Sequence, residues 1–198
     1  MVKHLSRYGK VFGVDLDFEA VGYCRERGLD NTAQASAGRL PFRDETFDLV
    51  TMLDVLEHIR DEASALAQAS RVIRPGGLLL VAVPAYRILW GAQDEVSQHQ
   101  RRYLAKQLGR RVQGAGFRVR RLTHFNTILF PPIAAVRLMR RVVRRPPSPR
   151  SDFTFPAPTV VNAVLAKVFG SEASVVSRTD LPFGVSIVCL AEKPTPSQ

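Results

Sequence analysis

LPFRDETFDLVTMLDVLEHIRDEASALAQASRVIRPGGLLLVAVP, residues 40–84, reads as one loop–strand–helix–turn–strand unit. Residues 47–53 form a short, largely aliphatic run of strand length, the pattern of a strand buried on both faces. Over 61–73, Ala65, Leu66, Ala69, Val72 and Ile73 fall on one helical stripe. Pro75-Gly76-Gly77 is expected to stop that helix, and residues 78–83 to form a second buried strand. Strand, helix and parallel strand in that order make a right-handed crossover, the unit of α/β sheets. Ligands in such sheets sit outside the carboxyl ends of the strands, which here carry Leu53-Asp54 and Pro84-Ala85-Tyr86.

Working outward, a strand is predicted over 11–15, a helix over 18–27 capped by Asp17, and a weak edge strand over 31–35. After the unit come a helix over 104–113 ending at Gly114, a strand with one wet face over 117–122 and an Arg-rich helix over 132–143. A Pro-rich linker over 146–158, a helix over 160–169 and a final strand over 184–191 complete the chain. The strands at 11–15, 47–53 and 78–83 are expected to lie parallel in one sheet with helices on both sides. No internal repeat is present, and residues 1–198 are expected to form one domain.

With 45% hydrophobic residues, the 198-residue chain has enough apolar surface for a core. Cys24 and Cys189 suggest neither a disulfide framework nor a metal site, so reduced thiols in a cytoplasmic protein are expected. The net charge of +10 is concentrated: residues 96–151 carry 14 basic side chains and no acid. Within that stretch ILFPPIAAVRLMRRVVRR, residues 128–145, combines an apolar start with Arg137, Arg140, Arg141, Arg144 and Arg145. This suits an interfacial helix on an anionic membrane, and also a core-packed helix with a solvated rim, the commoner case. Few aromatics interleave the bases, so nucleic acid is not the expected partner.

LPFRDETFDLV, LDVLEHI and RVIRPGGLLLVAVP resemble the second half of a class I S-adenosylmethionine-dependent methyltransferase, in the group that includes the ubiquinone and menaquinone methyltransferases. Residues 10–17, KVFGVDLD, resemble the second strand of that fold with its acidic end. The resemblance implies a Rossmann-like α/β fold: a mostly parallel sheet with helices on both faces and an antiparallel C-terminal strand pair. It implies S-adenosylmethionine as cofactor and a small-molecule or lipid-like methyl acceptor. The family opens with a strand and a glycine-rich turn, and residues 1–10 offer no such turn. The expectation is therefore an N-terminally truncated chain whose first strand is missing. Strands 11–15 and 47–53 should then flank a gap or pair directly, and this chain should bind cofactor weakly. A catalytically silent Rossmann-like fragment serving as an interaction module, and a nucleic-acid-directed methyltransferase, are the alternatives.

On the cofactor side, Asp15, with Leu16 beside it, ends the second strand of the family order. Its carboxylate can accept from two ribose hydroxyls; the other reading, a helix cap, is already filled by Asp17. Ser36-Ala37 stands where the family has Asp-Ala at the adenine amino group, and Leu53 and Asp54 end the next strand. On the acceptor side, His99 is the candidate base if the acceptor is a hydroxyl, Arg102 a bidentate holder of carboxylate or phosphate, and Tyr103 their neighbour. The rival reading makes this run a structural hinge with Tyr103 as buried anchor and the arginines solvated. Glu57 and His58 are expected to begin a helix beneath the cofactor cleft, with His58 either a base or a loop brace. The spacing of Asp54, Glu57 and His58 is not a metal signature, so no metal is expected.

Overall fold

The computed structural model describes residues 5–142, 167 and 170–195. Its strands are β1 Gly13–Asp15, β2 Thr32–Gln34, β3 Phe47–Leu53, β4 Ile73–Pro84, β5 Arg118–Phe125 and β6 Ser186–Glu192. The helices are α1 Phe18–Glu26, α2 Glu62–Val72, α3 Ala92–Val96, α4 Ala105–Gly114 and α5 Phe130–Val142. Asp17 caps α1 by accepting from the Glu19 N–H at 2.8 Å, and Asp61 caps α2 by accepting from the Ser64 N–H at 3.0 Å.

One sheet has the order β3-β4-β6-β5, with β3 and β4 parallel and β6 antiparallel to both its neighbours. Period-2 alternation puts Leu79, Val81 and Val83 of β4 in register with Ala191, Cys189 and Ile187 of β6, all fully buried. Onto this face α2 lays Ala65, Leu66 and Ala69, and α4 lays Leu108 and Val112. Shortening any of the large members to Ala would cost about 2–5 kcal/mol. The architecture is the expected Rossmann-like α/β fold, parallel at one side and antiparallel at the C-terminal side.

Three expectations need correction. The strand at 11–15 does not join the main sheet: β1 pairs with β2 in a separate parallel pair. Helix α2 stops at Val72, and Pro75-Gly76-Gly77 lies within the longer β4, at a register shift against β3, rather than in a turn before it. Gly77 is required there, because a Cβ would meet Ile73 Cγ2 at 2.7 Å and the Arg74 carbonyl oxygen at 2.9 Å. Glu57 and His58 belong to a single 3-10 turn, Leu56–His58, rather than opening a helix. The strand predicted at 117–122 runs on to Phe125 as β5. The linker at 146–158 lies outside the described residues, as does most of the helix at 160–169.

No hydrogen-bonded ladder joins β1 to β3 among the described residues. The two strands flank a cleft of about 860 Å³, as the first of the two expected outcomes has it. Phe12, Phe42 and Phe47 close one end of it, edge to face with ring centroids 4.8–5.9 Å apart. At the other end the strands present Asp15 and Asp54.

Candidate active site

Four separate segments meet in this cleft, which is lined by Asp15, Leu16, Ser36, Ala37 and Asp54 together with Leu40, Phe42 and His58. Five of the six residues expected on the cofactor side are thus brought together; Leu53 is not among the lining residues. Asp15 Oδ1 accepts from the Asp17 N–H at 2.9 Å, which fixes the side chain and leaves Oδ2 without a partner among the described residues. Ser36 Oγ accepts from the Gly38 N–H at 3.2 Å, so its own O–H remains a donor. The loop that carries Leu40 and Phe42 is held from α2 by Arg71. Its guanidinium donates to the carbonyls of Leu40 at 2.9 Å and Phe42 at 2.8 Å and to Asp44 Oδ1 at 2.6 Å. Asp54 sits at φ 52°, a left-handed conformation that turns the chain sharply out of β3.

The acceptor side is organised by Asp94, whose role no local sequence pattern signals. Asp94 is fully buried at the start of α3, where Oδ2 accepts from the Gly91 N–H at 2.8 Å. Arg102 donates to it twice, Nε to Oδ1 at 2.7 Å and Nη2 to Oδ2 at 3.1 Å, and His99 Nδ1 lies 2.9 Å from Oδ1. Burial alone would raise the Asp94 carboxyl, but the Arg102 guanidinium holds it below the usual carboxylate range. With Nδ1–H donated to Asp94, the lone pair of His99 falls on Nε2. The His58 ring stands perpendicular to it at a centroid distance of 4.7 Å. Burial, then the neighbouring His99, lowers the His58 pKa from its ordinary value.

Arg102 and Tyr103 take other roles than those expected of them. The bidentate capacity of Arg102 is used by Asp94, and its Nη1 donates to the Ala85 carbonyl at 3.0 Å; at 5% side-chain exposure no fork is left for a substrate. Tyr103 is 2% exposed and donates its O–H to Glu62 Oε2 at 2.6 Å. Its backbone exchanges bonds with Pro84 and Tyr86, N–H to Pro84 O at 2.9 Å and Tyr86 N–H to Tyr103 O at 2.8 Å. Both residues position the loop after β4, as the hinge reading has it for Tyr103; Arg102, which that reading left solvated, has its side chain buried against Asp94. Of the three acceptor-side candidates, only His99 keeps an atom free for chemistry.

Two further features were not read from the sequence. Glu57 is fully buried, and neither of its carboxylate oxygens has a hydrogen-bond partner among the described residues. Burial pushes its carboxyl up to about 7, with the nearby Asp54 charge adding to the rise. His124 Nε2 lies 3.0 Å from the Tyr86 O–H, with the two rings stacked, and its Nδ1 lies 3.1 Å from the Leu181 carbonyl. These residues are 38 positions apart, so no local pattern signals the pair.

The basic segment is also rearranged in space. Arg101 and Arg111 pair with Glu62, Arg102 and Arg137 with Asp94, Arg120 with Glu192 and Arg121 with Asp180. Acids from elsewhere in the chain therefore neutralise much of what the sequence displays as one positive block. Arg137, expected on a lipid face, turns inward to Asp94 at 3.4 Å. The side chains of Arg140, Arg141, Arg144 and Arg145 lie outside the described residues. No helix among the described residues is long and apolar enough to cross a membrane.

An α/β domain with an acid-tipped cleft at the carboxyl ends of its strands is the architecture of a nucleotide-cofactor protein. Residues 1–81 match the family model described as a methyltransferase domain. A probable S-adenosylmethionine-dependent methyltransferase of Mycolicibacterium smegmatis is 31% identical over 113 residues, 56% of this chain and 44% of that protein. A ubiquinone/menaquinone biosynthesis C-methyltransferase of Marinomonas sp. is 50% identical over 67 residues, 32% of this chain and 27% of that protein. Among solved structures, Haemonchus contortus phosphoethanolamine N-methyltransferase 2 in complex with S-adenosyl-L-methionine superposes with a TM-score of 0.61 at 18% identity, over 98% of this chain and 46% of that one. In sequence over these segments, and in fold over nearly the whole chain, the protein is thus similar to S-adenosylmethionine-dependent methyltransferases. The match spans less than half the length of these curated relatives. Neither the silent module nor the nucleic-acid-directed enzyme finds support in these likenesses.

Proposed function

We propose that this chain binds S-adenosylmethionine in the cleft between β1 and β3 and serves methyl transfer to a small or lipid-like acceptor. The observation that carries this reading is the convergence of Asp15, Leu16, Ser36, Ala37 and Asp54 on one cleft at the carboxyl ends of the strands. The fit is chemical. The open oxygen of Asp15 suits a ribose hydroxyl, the Ser36 hydroxyl suits a ring nitrogen of adenine, and Leu16, Ala37 and Leu40 offer apolar contact to the base. When bound, the cofactor supplies an electrophilic sulfonium methyl group; the chain's part is alignment and the handling of the acceptor. The acceptor end lies where His58 borders the cleft, with the Nε2 lone pair of His99 behind it and Asp94 and Arg102 holding that imidazole in place.

The lipid-like class of acceptor is supported by apolar side chains on α5: Val136 is 46%, Leu138 44% and Met139 62% exposed. Such residues beside a basic stretch suit an interfacial surface. Calorimetric titration of the chain with S-adenosylmethionine tests the reading. Saturable binding, weakened by Asp15→Ala, is expected. Binding that Asp15→Ala leaves unchanged would remove the cleft assignment.

A further inference from the structure

Glu57 poses a specific physical problem. A carboxylate with no exposure and no donor for either oxygen is costly, and native structures explain such groups by a proton, a water or an ion. The surroundings of Glu57 favour the ion. One ligand atom each from Glu57, His58 and His99 lie within 4.8 Å of one another, a spacing that a single cation can bridge. His99 is already arranged as a ligating imidazole would be. Its Nδ1 is tied to Asp94, and Asp94 is fixed in turn by two bonds from Arg102 and one from the Gly91 N–H. A carboxylate behind one ring nitrogen orients the other and raises its donor strength. The backbone ties the two halves of the cluster together, since the Gln100 N–H donates to the Glu57 carbonyl at 2.8 Å.

We propose that Glu57, His58 and His99 form a binding site for one divalent first-row transition cation, Zn²⁺ being the type case. Two imidazoles and one carboxylate are the donor set such ions take, in preference to the all-oxygen shells of Mg²⁺ and Ca²⁺. Three protein donors leave a position for a further ligand. His58 also lines the cleft, so that position neighbours the acceptor end and suits an oxygen of the acceptor. In this respect the inference rests on the proposed function: it makes the His99 lone pair a ligand to the cation rather than a base. The site itself does not depend on methyl transfer.

The test is calorimetric titration of the metal-stripped full chain with Zn²⁺, in the absence of S-adenosylmethionine and of any acceptor. One equivalent is expected to bind. Affinity should fall tenfold or more in Glu57→Gln and in His99→Ala, and by a smaller factor in Asp94→Asn, which keeps the side chain's size but weakens its hold on His99. Cys24→Ser controls for binding at the partly accessible thiol and should leave the affinity unchanged. Circular dichroism establishes that each variant is folded. Co²⁺ gives a second readout: its visible absorption should report nitrogen ligation and vanish in His99→Ala. Absence of binding, binding untouched by Glu57→Gln and His99→Ala, or binding lost in Cys24→Ser would each overturn the site. Because cofactor titration is separate, failure of the cation site and failure of the methyltransferase reading are told apart.

Discussion

Asp94 and Arg102 form a two-pronged ion pair, Nε to Oδ1 at 2.7 Å and Nη2 to Oδ2 at 3.1 Å, with the carboxylate fully buried and the guanidinium side chain 5% exposed. Removing Asp94 strips the buried Arg102 side chain of its counter-charge, which costs about 3–5 kcal/mol, whereas removing Arg102 leaves Asp94 with Arg137 and His99. Asp94→Ala should therefore destabilise the chain by that amount in urea unfolding, and Arg102→Ala by less. Arg102→Lys should recover only part of it, because an ammonium cannot reproduce the planar fork. A loss under about 1 kcal/mol in both Ala variants, the range of exposed pairs, would show the pair to be solvated.

Asp15 should matter for ligand affinity and little for folding. One of its oxygens holds the turn into α1 and the other has no partner among the described residues. Asp15→Ala is expected to weaken S-adenosylmethionine binding by about 1–3 kcal/mol, the range for losing a charged acceptor. The unfolding midpoint should move far less than in the Asp94 variants. Calorimetry and thermal unfolding on the same preparation separate the two effects.

The two thiols should differ sharply in reactivity. Cys189 is fully buried between β4 and β5, and burial pushes its pKa from 9.0 up to about 11. Cys24 is partly accessible. Iodoacetamide on the native chain should label Cys24 and spare Cys189 until the chain unfolds. The sign of the linked pH effect follows from proton binding. Between about pH 9 and 11 the unfolded chain gives up the Cys189 proton while the folded chain keeps it, so stability falls as pH rises through that window and is flat below it. In Cys189→Ser this part of the pH slope should disappear.

Gly184 admits no side chain. A Cβ there would come within 2.9 Å of the Phe125 carbonyl carbon and 3.0 Å of its amide nitrogen, against backbone that cannot swing aside. Gly184→Ala should destabilise by about 3 kcal/mol or disturb the β5–β6 pairing. A cooperative unfolding curve close to that of the parent chain would contradict the close approach.

Vesicle flotation decides whether the basic segment meets lipid. Anionic vesicles at low salt should carry the chain upward, and moderate salt should release it, since attraction between exposed charges is screened over about 10 Å at 0.1 M. Changing Arg140, Arg141, Arg144 and Arg145 to Gln should reduce flotation. Changing Val136, Leu138 and Met139 to Ser should do so independently. A chain that stays in the soluble fraction with anionic vesicles has no such surface.

Local pattern carried the secondary structure a long way. The strand at 47–53 was found to the residue, and the helix over 61–73 to within one residue at each end, Asp61 proving to be its cap. Apolar spacing reports which face of a segment is buried, and burial of a regular element is a local property of the chain. The acid at the end of β1 was legible for the same reason, because strand ends define the ligand edge of an α/β sheet.

Partner choice was not legible, because a polar side chain's role depends on what lies across space from it. In the sequence Arg102 looked free to hold a substrate; eight residues upstream, Asp94 folds back through α3 to occupy it. Tyr103 finds Glu62 at a separation of 41 residues, and the acid-free stretch 96–151 finds its counter-charges in Glu62, Asp94, Asp180 and Glu192. Glu57 carried no expected role and His99 was read as a base, yet the turn after β3 and the loop after α3 bring the two together. Apolar periodicity thus settled which elements form, but not always their burial: β3, expected to be covered on both faces, buries only Met52 and leaves Leu49 44% exposed beside the cleft. Only the tertiary structure decided how charges pair, that β1 stands apart from the main sheet, and which nitrogen of His99 is tied to Asp94. Hydrophobic burial is non-directional and written in local spacing, whereas hydrogen bonds and ion pairs need particular atoms within about 3 Å.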